Sequence, residues 1–162
     1  LIGFSQEKTS FENLTDSSGI MYYEGELFTG IAFYKNYMNQ LIGEYNYKLG
    51  ILNGKMKLWY ENGQLKGEWN YKEGDINGEV KEWYESGQLR RSGEVIMIKE
   101  RVIMGGGKTW YQNGQLQKEE KWKNGELIYE TCFNKKGKEI DCSENESIDN
   151  SEEAIEEEEI IE

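Results

Sequence analysis

The side chains that could do chemistry in this sequence are carboxylates, lysines, tyrosines and tryptophans, because none of its 162 residues is histidine. Without His, nucleophile relays of the Ser-His-Asp kind and imidazole metal ligands are excluded. Glu44 and Glu68 stand 24 residues apart and could imitate a pair of catalytic carboxylates. The charges around them favour a solvated row of salt bridges. We therefore expect no enzymatic activity, no catalytic residue and no cofactor.

Binding chemistry is carried by three tryptophans that recur with cations nearby. We predict a partner-binding set that comprises Trp59, Lys66, Trp83, Arg90 and Trp110. Aromatic side chains flanked by Lys or Arg permit cation-π contacts and resemble the composition of protein-binding hot spots. The alternative is that the indoles only cover the second face of a sheet and stack on neighbouring side chains.

The sequence also contains two cysteines, Cys132 and Cys142. They are too few for a disulfide framework and lack the companion ligands of a zinc site, so we expect no metal. A bridge between them would close a short loop, and two unpaired thiols are the alternative. The stretch Gly105–Gly107 lacks the strand, loop and helix setting of a phosphate-binding loop, which argues against a nucleotide site.

The charge is concentrated at one end of the chain. The sequence has 19 basic and 31 acidic residues and a net charge of -12, and residues 143–162 hold ten of the acids and no base. Residues 1–142 therefore carry 21 acids against 19 bases, a net of -2. Because neither part has an excess of Lys and Arg, nucleic acid and anionic membranes are not expected partners.

The ends of the chain predict a division into three parts. Residues 1–13 form an N-terminal segment whose start, Leu-Ile-Gly-Phe-Ser before Gln-Glu-Lys, is typical of a signal-peptide remnant; an arbitrary boundary is the alternative. Residues 14–142 form the repeat domain. Residues 143–162 form an acidic tail that we expect to be disordered in isolation, or to form an amphipathic helix on a partner. We expect an extracytoplasmic location, with the cytoplasm as the alternative, and no stable membrane insertion.

An internal repeat determines the predicted fold. The segment Trp59–Leu65 (WYENGQL) recurs as Trp83–Leu89 (WYESGQL) and as Trp110–Leu116 (WYQNGQL). Asn62-Gly63 predicts a two-residue turn of the mirror-image type, in which both residues have positive φ. That turn would place Tyr60 opposite Leu65, Trp59 opposite Lys66 and Lys57 opposite Glu68, with apolar residues on one face and charged residues on the other.

One hairpin cannot bury its own apolar face, so the hairpins must lie side by side. The sequence therefore predicts an all-β protein with an elongated, twisted antiparallel sheet of tandem hairpins of about 24 residues. Three extra residues near 94–105 predict a longer hairpin or a bulge at that point.

The pattern Gly-x4-Trp-Tyr-x2-Gly-Gln-Leu resembles bacterial MORN-repeat variants, in particular the YwqK-type antitoxin family, over roughly residues 14–140. The resemblance implies a non-catalytic scaffold for protein-protein interaction. It also implies a possible neutraliser of a toxin protein in the cytoplasm. Repeats rich in Trp, Tyr and Gly also resemble choline-binding and glucan-binding modules of the cell envelope, whose aromatic cages hold a quaternary ammonium or a sugar. Three functions therefore stay open: an exported or surface-associated module for an unidentified protein partner, an antitoxin, and a choline or carbohydrate binder.

Overall fold

A computed structural model describes residues 7–99 and 101–144, which form two β-sheets. The strands, in chain order, are β1 Glu7–Ser10, β2 Leu14–Ser17, β3 Ile20–Tyr23, β4 Glu26–Leu27, β5 Gly30–Lys35, β6 Leu41–Lys48, β7 Ile51–Trp59, β8 Leu65–Lys72, β9 Asp75–Trp83, β10 Leu89–Ile98, β11 Arg101–Trp110, β12 Leu116–Lys123, β13 Glu126–Phe133 and β14 Glu139–Ile140. Short 3-10 turns span Phe11–Asn13 and Cys142–Glu144. The predicted all-β repeat fold is confirmed.

The long sheet has eleven strands in the order β1-β5-β6-β7-β8-β9-β10-β11-β12-β13-β14. From β5 to β14 each strand pairs antiparallel with its neighbours in the chain, as expected when every repeat is a hairpin. Only β1 is parallel to its neighbour. Part of segment 1–13 therefore lies on the sheet. The predictions about a signal peptide and about residues 145–162 fall on the remaining ends, outside the described residues.

The small sheet, β2-β3-β4, packs against the N-terminal end of the long sheet, and a buried core cluster lies between them. Met21 and Phe28 pack with Ala32 and Tyr47 of the long sheet. Phe28 is almost fully buried, and its ring lies 6.0 Å from that of Tyr47. This core lies at the N-terminal end of the long sheet and covers one of its faces, which we call the covered face.

The sheet contains two kinds of turn, one at each long side. The turns Leu49-Gly50, Glu73-Gly74 and Asn124-Gly125 have positive φ at both residues, which is the mirror-image geometry. At Asn62-Gly63 only Gly63 has positive φ (82°), its N–H donates to the Tyr60 carbonyl, and the Tyr60 N–H donates to the Gln64 carbonyl. The predicted turn type is therefore wrong at Asn62-Gly63. There the Asn62 side chain accepts a hydrogen bond from the Gln64 N–H (2.9 Å) and stabilises a three-residue loop, residues 61–63, in place of the predicted two-residue turn.

This turn changes the register next to it. Leu58 faces Gly67 and Lys57 faces Glu68 as predicted, but Trp59 faces Leu65 rather than Lys66, because the register shifts between Leu58 and Trp59. The next two hairpins repeat this arrangement, with Trp83 opposite Leu89 and Trp110 opposite Leu116. The predicted pairing of each tryptophan with the cation or glutamine after it is therefore wrong.

The longer hairpin predicted near residues 94–105 is confirmed. β10 and β11 have ten residues each, with an irregularity between Ile96 and Met97. Gly107 is required by close packing, since a Cβ there would lie 2.8 Å from the main-chain oxygen of Ser92. A Cβ on Gly106 would likewise lie 2.8 Å from the main-chain oxygen of Glu120.

Cys132 and Cys142 form a disulfide, which decides between the two alternatives left open by the sequence. Cys132 on β13 is buried. The bridge ties the last turn of the described chain to the sheet. Among the described residues, no helix is long and apolar enough to cross a membrane.

Candidate protein-binding surface

The face of the long sheet opposite the small sheet, which we call the polar face, carries a continuous row of cross-strand neighbours. From β5 to β13 the register brings together Phe33, Glu44, Lys57, Glu68, Lys81, Ser92, Lys108, Glu119 and Thr131. Opposite charges alternate through much of this row, and such pairs directly across strands are stabilising.

Glu44 and Glu68 are members of this row and bind lysines. Glu44 forms an ion pair with Lys8, and Glu68 forms ion pairs with Lys55 and Lys57. The hydrogen bond from Lys55 is the main cause that holds the pKa of Glu68 below its usual value. A carboxyl group that stays ionised is a poor general acid. The arrangement therefore supports the interpretation of these glutamates as a salt-bridge row.

The three tryptophans stand at equivalent places on the polar face. Trp59, Trp83 and Trp110 each follow a lysine of the row by two residues, so strand alternation places them on the same side as those lysines. All three are half-buried. The predicted alignment of the indoles is present, and we call these three residues the tryptophan row.

The cations predicted to accompany the indoles contact tyrosines instead. Lys66 lies over the ring of Tyr60 (5.4 Å), and Arg90 lies over the ring of Tyr84 (5.9 Å). The structure does not place Lys66 opposite Trp59 or Arg90 opposite Trp83, because the register shifts next to the turn and Leu65 and Leu89 take those positions.

The tyrosines form a ladder that links successive repeats, and the sequence analysis missed this role. The Tyr60 hydroxyl donates to the main-chain carbonyl of Trp83 (2.8 Å), Tyr84 donates to Trp110 (2.7 Å), and Tyr111 donates to Phe133 (2.9 Å). Each bond joins one repeat to the next. Because two of the acceptors belong to the tryptophan row, the ladder fixes the main chain that carries those indoles. The available signal was that Tyr directly follows Trp in every full repeat.

At both ends of the ladder an asparagine takes the place of the tyrosine. Asn36 accepts hydrogen bonds from the N–H groups of Met38 and Gln40, both at 3.0 Å. Asn134 likewise accepts from Lys136 and Lys138. Each of these asparagine side chains accepts hydrogen bonds within its own turn, whereas the tyrosines of the ladder donate to the next hairpin.

The turns are also linked to one another through their asparagines. The Asn62 amide donates to the main-chain oxygen of Glu85 (3.0 Å), and the Asn113 amide donates to that of Lys135 (2.9 Å). Ser86 occupies this position in the middle repeat, and its side chain is shorter. There the side-chain amide of Gln88 lies close to the main-chain oxygen of Gln112.

Beyond Trp110 the polar face opens into a groove of about 600 Å³. Gly106 lines this groove. In the two preceding hairpins the equivalent positions are occupied by Lys55 and Glu79, which have long side chains. The walls include Ile96, Met104, Lys121 and Tyr129. The described residues contain no group of three or more Cys, Asp or Glu side chains that could hold a metal ion.

Comparison with known families gives matches on the hairpins themselves. The MORN repeat variant matches residues 52–73, 76–95 and 107–124, which correspond to β7 with β8, β9 with most of β10, and β11 with β12. No curated protein and no solved structure gave a significant match. MORN repeats are generally non-catalytic repeat modules, often involved in binding. The hairpins that carry Trp59, Trp83 and Trp110 are therefore each similar to the MORN repeat variant.

Proposed function

We propose that this protein is a non-catalytic scaffold that binds a protein partner through the tryptophan row and the neighbouring charges of its polar face. The observation that carries the proposal is the recurrence of a half-buried indole at one position of three successive hairpins. These indoles lie on the polar face, the side opposite the one against which the small sheet packs at the N-terminal end. Tryptophan is one of the residues enriched in binding hot spots.

Preorganisation also supports the proposal. The Tyr60 and Tyr84 hydroxyls hold the main chain of Trp83 and Trp110, so binding would require little ordering of the surface. Lys66 and Arg90 add positive charge along the neighbouring turns. In this proposal Lys66 and Arg90 contact the edge of the bound protein and do not pair with the indoles.

An extracytoplasmic site of action is part of the proposal. The disulfide between Cys132 and Cys142 supports it, because such bridges persist in oxidising compartments and are rare in the cytosol. The same bridge argues against a cytoplasmic antitoxin. A choline site is not favoured either, since Lys66 and Arg90 already cover the rings of Tyr60 and Tyr84.

The test compares the wild type with a variant in which Trp59, Trp83 and Trp110 are all changed to Ser. Both proteins are immobilised and exposed to the same envelope and secreted fractions of the source cells. A protein retained by the wild type is then purified, and its Kd is measured by calorimetry. We expect the variant to bind at least about a hundredfold more weakly, as for the loss of one hot spot of about 3 kcal/mol.

The matched control changes Leu49 and Ile98 to Ser, since these apolar residues are exposed at the opposite long side of the sheet. It should bind as the wild type does. Unfolding of the tryptophan variant to the degree expected for Tyr84→Ala would instead show that the indoles are core, and the proposed site would be wrong.

A further inference from the structure

The outer edge of β13 is the longest unpaired strand edge in the described part of the chain. On its inner side β13 pairs with β12 from Glu126 to Cys132. On its outer side β14 pairs with it only at Cys132 and Phe133. No described strand pairs with the outer side of residues 126–131, so their outward N–H and C=O groups are available to an added strand.

The chain leaves this edge for a structural reason. After β14, Asp141 accepts hydrogen bonds from the N–H and the hydroxyl of Ser143, and Cys142–Glu144 forms a 3-10 turn. The disulfide to Cys132 fixes that turn against β13. β14 is therefore stopped at two residues and does not continue along the edge.

The side chains on this edge are unusually apolar for an exposed strand. Leu127, Ile128 and Tyr129 are 40%, 53% and 45% exposed. The opposite end of the sheet is protected differently, because β1 has four residues, Thr9 on it is buried, and Lys8 is bound to Glu44. One end of the long sheet is therefore a short strand with an ion-paired lysine, whereas the other end has a longer edge with exposed apolar side chains.

We propose that the outer edge of β13, residues 126–131, binds an extended segment of a partner protein as an additional strand, and that this segment is apolar with basic residues at its ends. Main-chain hydrogen bonds would supply affinity, and the exposed apolar side chains would supply specificity. Glu126 and Glu130 flank the apolar residues, and opposite charges directly across two strands are favourable. Glu130 also pairs with Lys118 on β12 (3.3 Å), so Glu126 is the main charge offered to a basic partner. This surface is separate from the tryptophan row, so the inference goes beyond the proposed function.

Charge complementarity selects this occupant over two others. A second copy of the chain, paired antiparallel about Ile128, would place Glu126 against Glu130 twice, and each copy has a net charge of -12. The chain's own segment 145–162 is strongly acidic and has no base. Like charges directly opposite each other destabilise strand pairing, so both occupants are disfavoured relative to a basic strand.

The experiment uses the full oxidised chain and three fluorescent peptides. The first alternates Val and Thr between terminal lysines, the second has glutamates in place of the lysines, and the third has Pro at the centre. Affinity is measured by fluorescence anisotropy, and hydrogen exchange is followed by NMR. We expect the lysine peptide to bind, to slow exchange at alternate amides of residues 126–131, and to bind at least about tenfold more tightly than the other two.

Two charge variants complete the test. Glu126→Lys should weaken the lysine peptide about tenfold. The same change at Glu85, an exposed turn residue on another part of the sheet, should leave binding unchanged. The variant with Ser at Trp59, Trp83 and Trp110 should bind the peptide as the wild type does, which separates this inference from the proposed function.

Three results would overturn the inference. Equal binding of all three peptides would show that no strand is added. Protection of residues 126–131 without peptide, together with a concentration-dependent dimer in sedimentation, would identify a second copy as the occupant. Protection that disappears when residues 145–162 are deleted would identify the chain's own segment.

Discussion

The tyrosine ladder makes a quantitative prediction at Tyr111. This residue is 4% exposed, and its hydroxyl donates to the Phe133 carbonyl at 2.9 Å. Tyr111→Phe keeps the ring and removes only the hydroxyl. The change should therefore lower the free energy of unfolding by about 1–2 kcal/mol, the range for a lost hydrogen bond that leaves its acceptor unpaired. Truncation to Ala should cost about 3–5 kcal/mol, because the buried ring is also lost.

The assay is urea unfolding followed by tryptophan fluorescence, with the slope m compared between variants. Tyr37→Phe is the matched control, since Tyr37 is 88% exposed, and it should change stability by less than about 0.5 kcal/mol. Because each repeat contacts mainly its neighbours, hydrogen exchange in Tyr111→Phe should accelerate most in β13.

Equal effects of Tyr111→Phe and Tyr37→Phe would refute the reasoning. They would mean that the bond from Tyr111 to Phe133 adds nothing beyond what water supplies. Acceleration of exchange spread evenly over the sheet would refute the claim that the ladder acts between adjacent repeats.

Ser86→Asn should raise stability by about 0.5–1 kcal/mol in the same urea assay, because it restores the turn-to-turn amide bond present at Asn62 and Asn113; a loss of stability would contradict this. Burial raises the pKa of Tyr47 from 10.0 to about 12. Because the tyrosine of the unfolded chain loses its proton at lower pH than that of the folded chain, the contribution of Tyr47 to stability should be constant below pH 10. Between these two pKa values the free energy of unfolding should fall by about 1.4 kcal/mol per pH unit. The free energy of unfolding is measured for the wild type and for Tyr47→Phe at several pH values in this window. If the difference between the two proteins did not change with pH, the prediction would be contradicted. Deleting residues 143–162 should lower solubility, because it removes ten acidic charges from a chain with a net charge of -12. Tm should shift by no more than about 2 °C if this segment is disordered, as the sequence predicts; a large, salt-sensitive drop in Tm would show that the tail docks on the sheet.

The sequence alone determined the architecture of the repeats. The recurrence of WYxxGQL with its turn glycine is a local signal, and hairpins with one apolar face have few ways to be stable other than side by side. The alternation around Lys57 and Glu68 also predicted their pairing, because strand periodicity assigns each residue to a face. The three extra residues near 94–105 predicted a longer hairpin or a bulge at that point, because they lengthen one repeat relative to the others.

The details of the turn could not be predicted from its two central residues. Asn62-Gly63 is compatible with more than one turn, and the choice depends on the hydrogen bond from the Gln64 N–H to the Asn62 side chain and on the amide bond to Glu85 in the next repeat. That choice moved Lys66 away from Trp59 and over Tyr60. The composition of the candidate site was therefore predictable, while its pairings were not.

Only the tertiary structure decided what joins one repeat to the next. The bonds from Tyr60 to Trp83 and from Tyr111 to Phe133 connect residues more than twenty positions apart, and no local pattern specifies an acceptor at that distance. The bridge between Cys132 and Cys142 and the open edge of β13 likewise depend on where the chain turns after β14. Periodicity along a chain specifies which residues share a face, whereas contacts between repeats form only after the neighbouring hairpins have been placed in register.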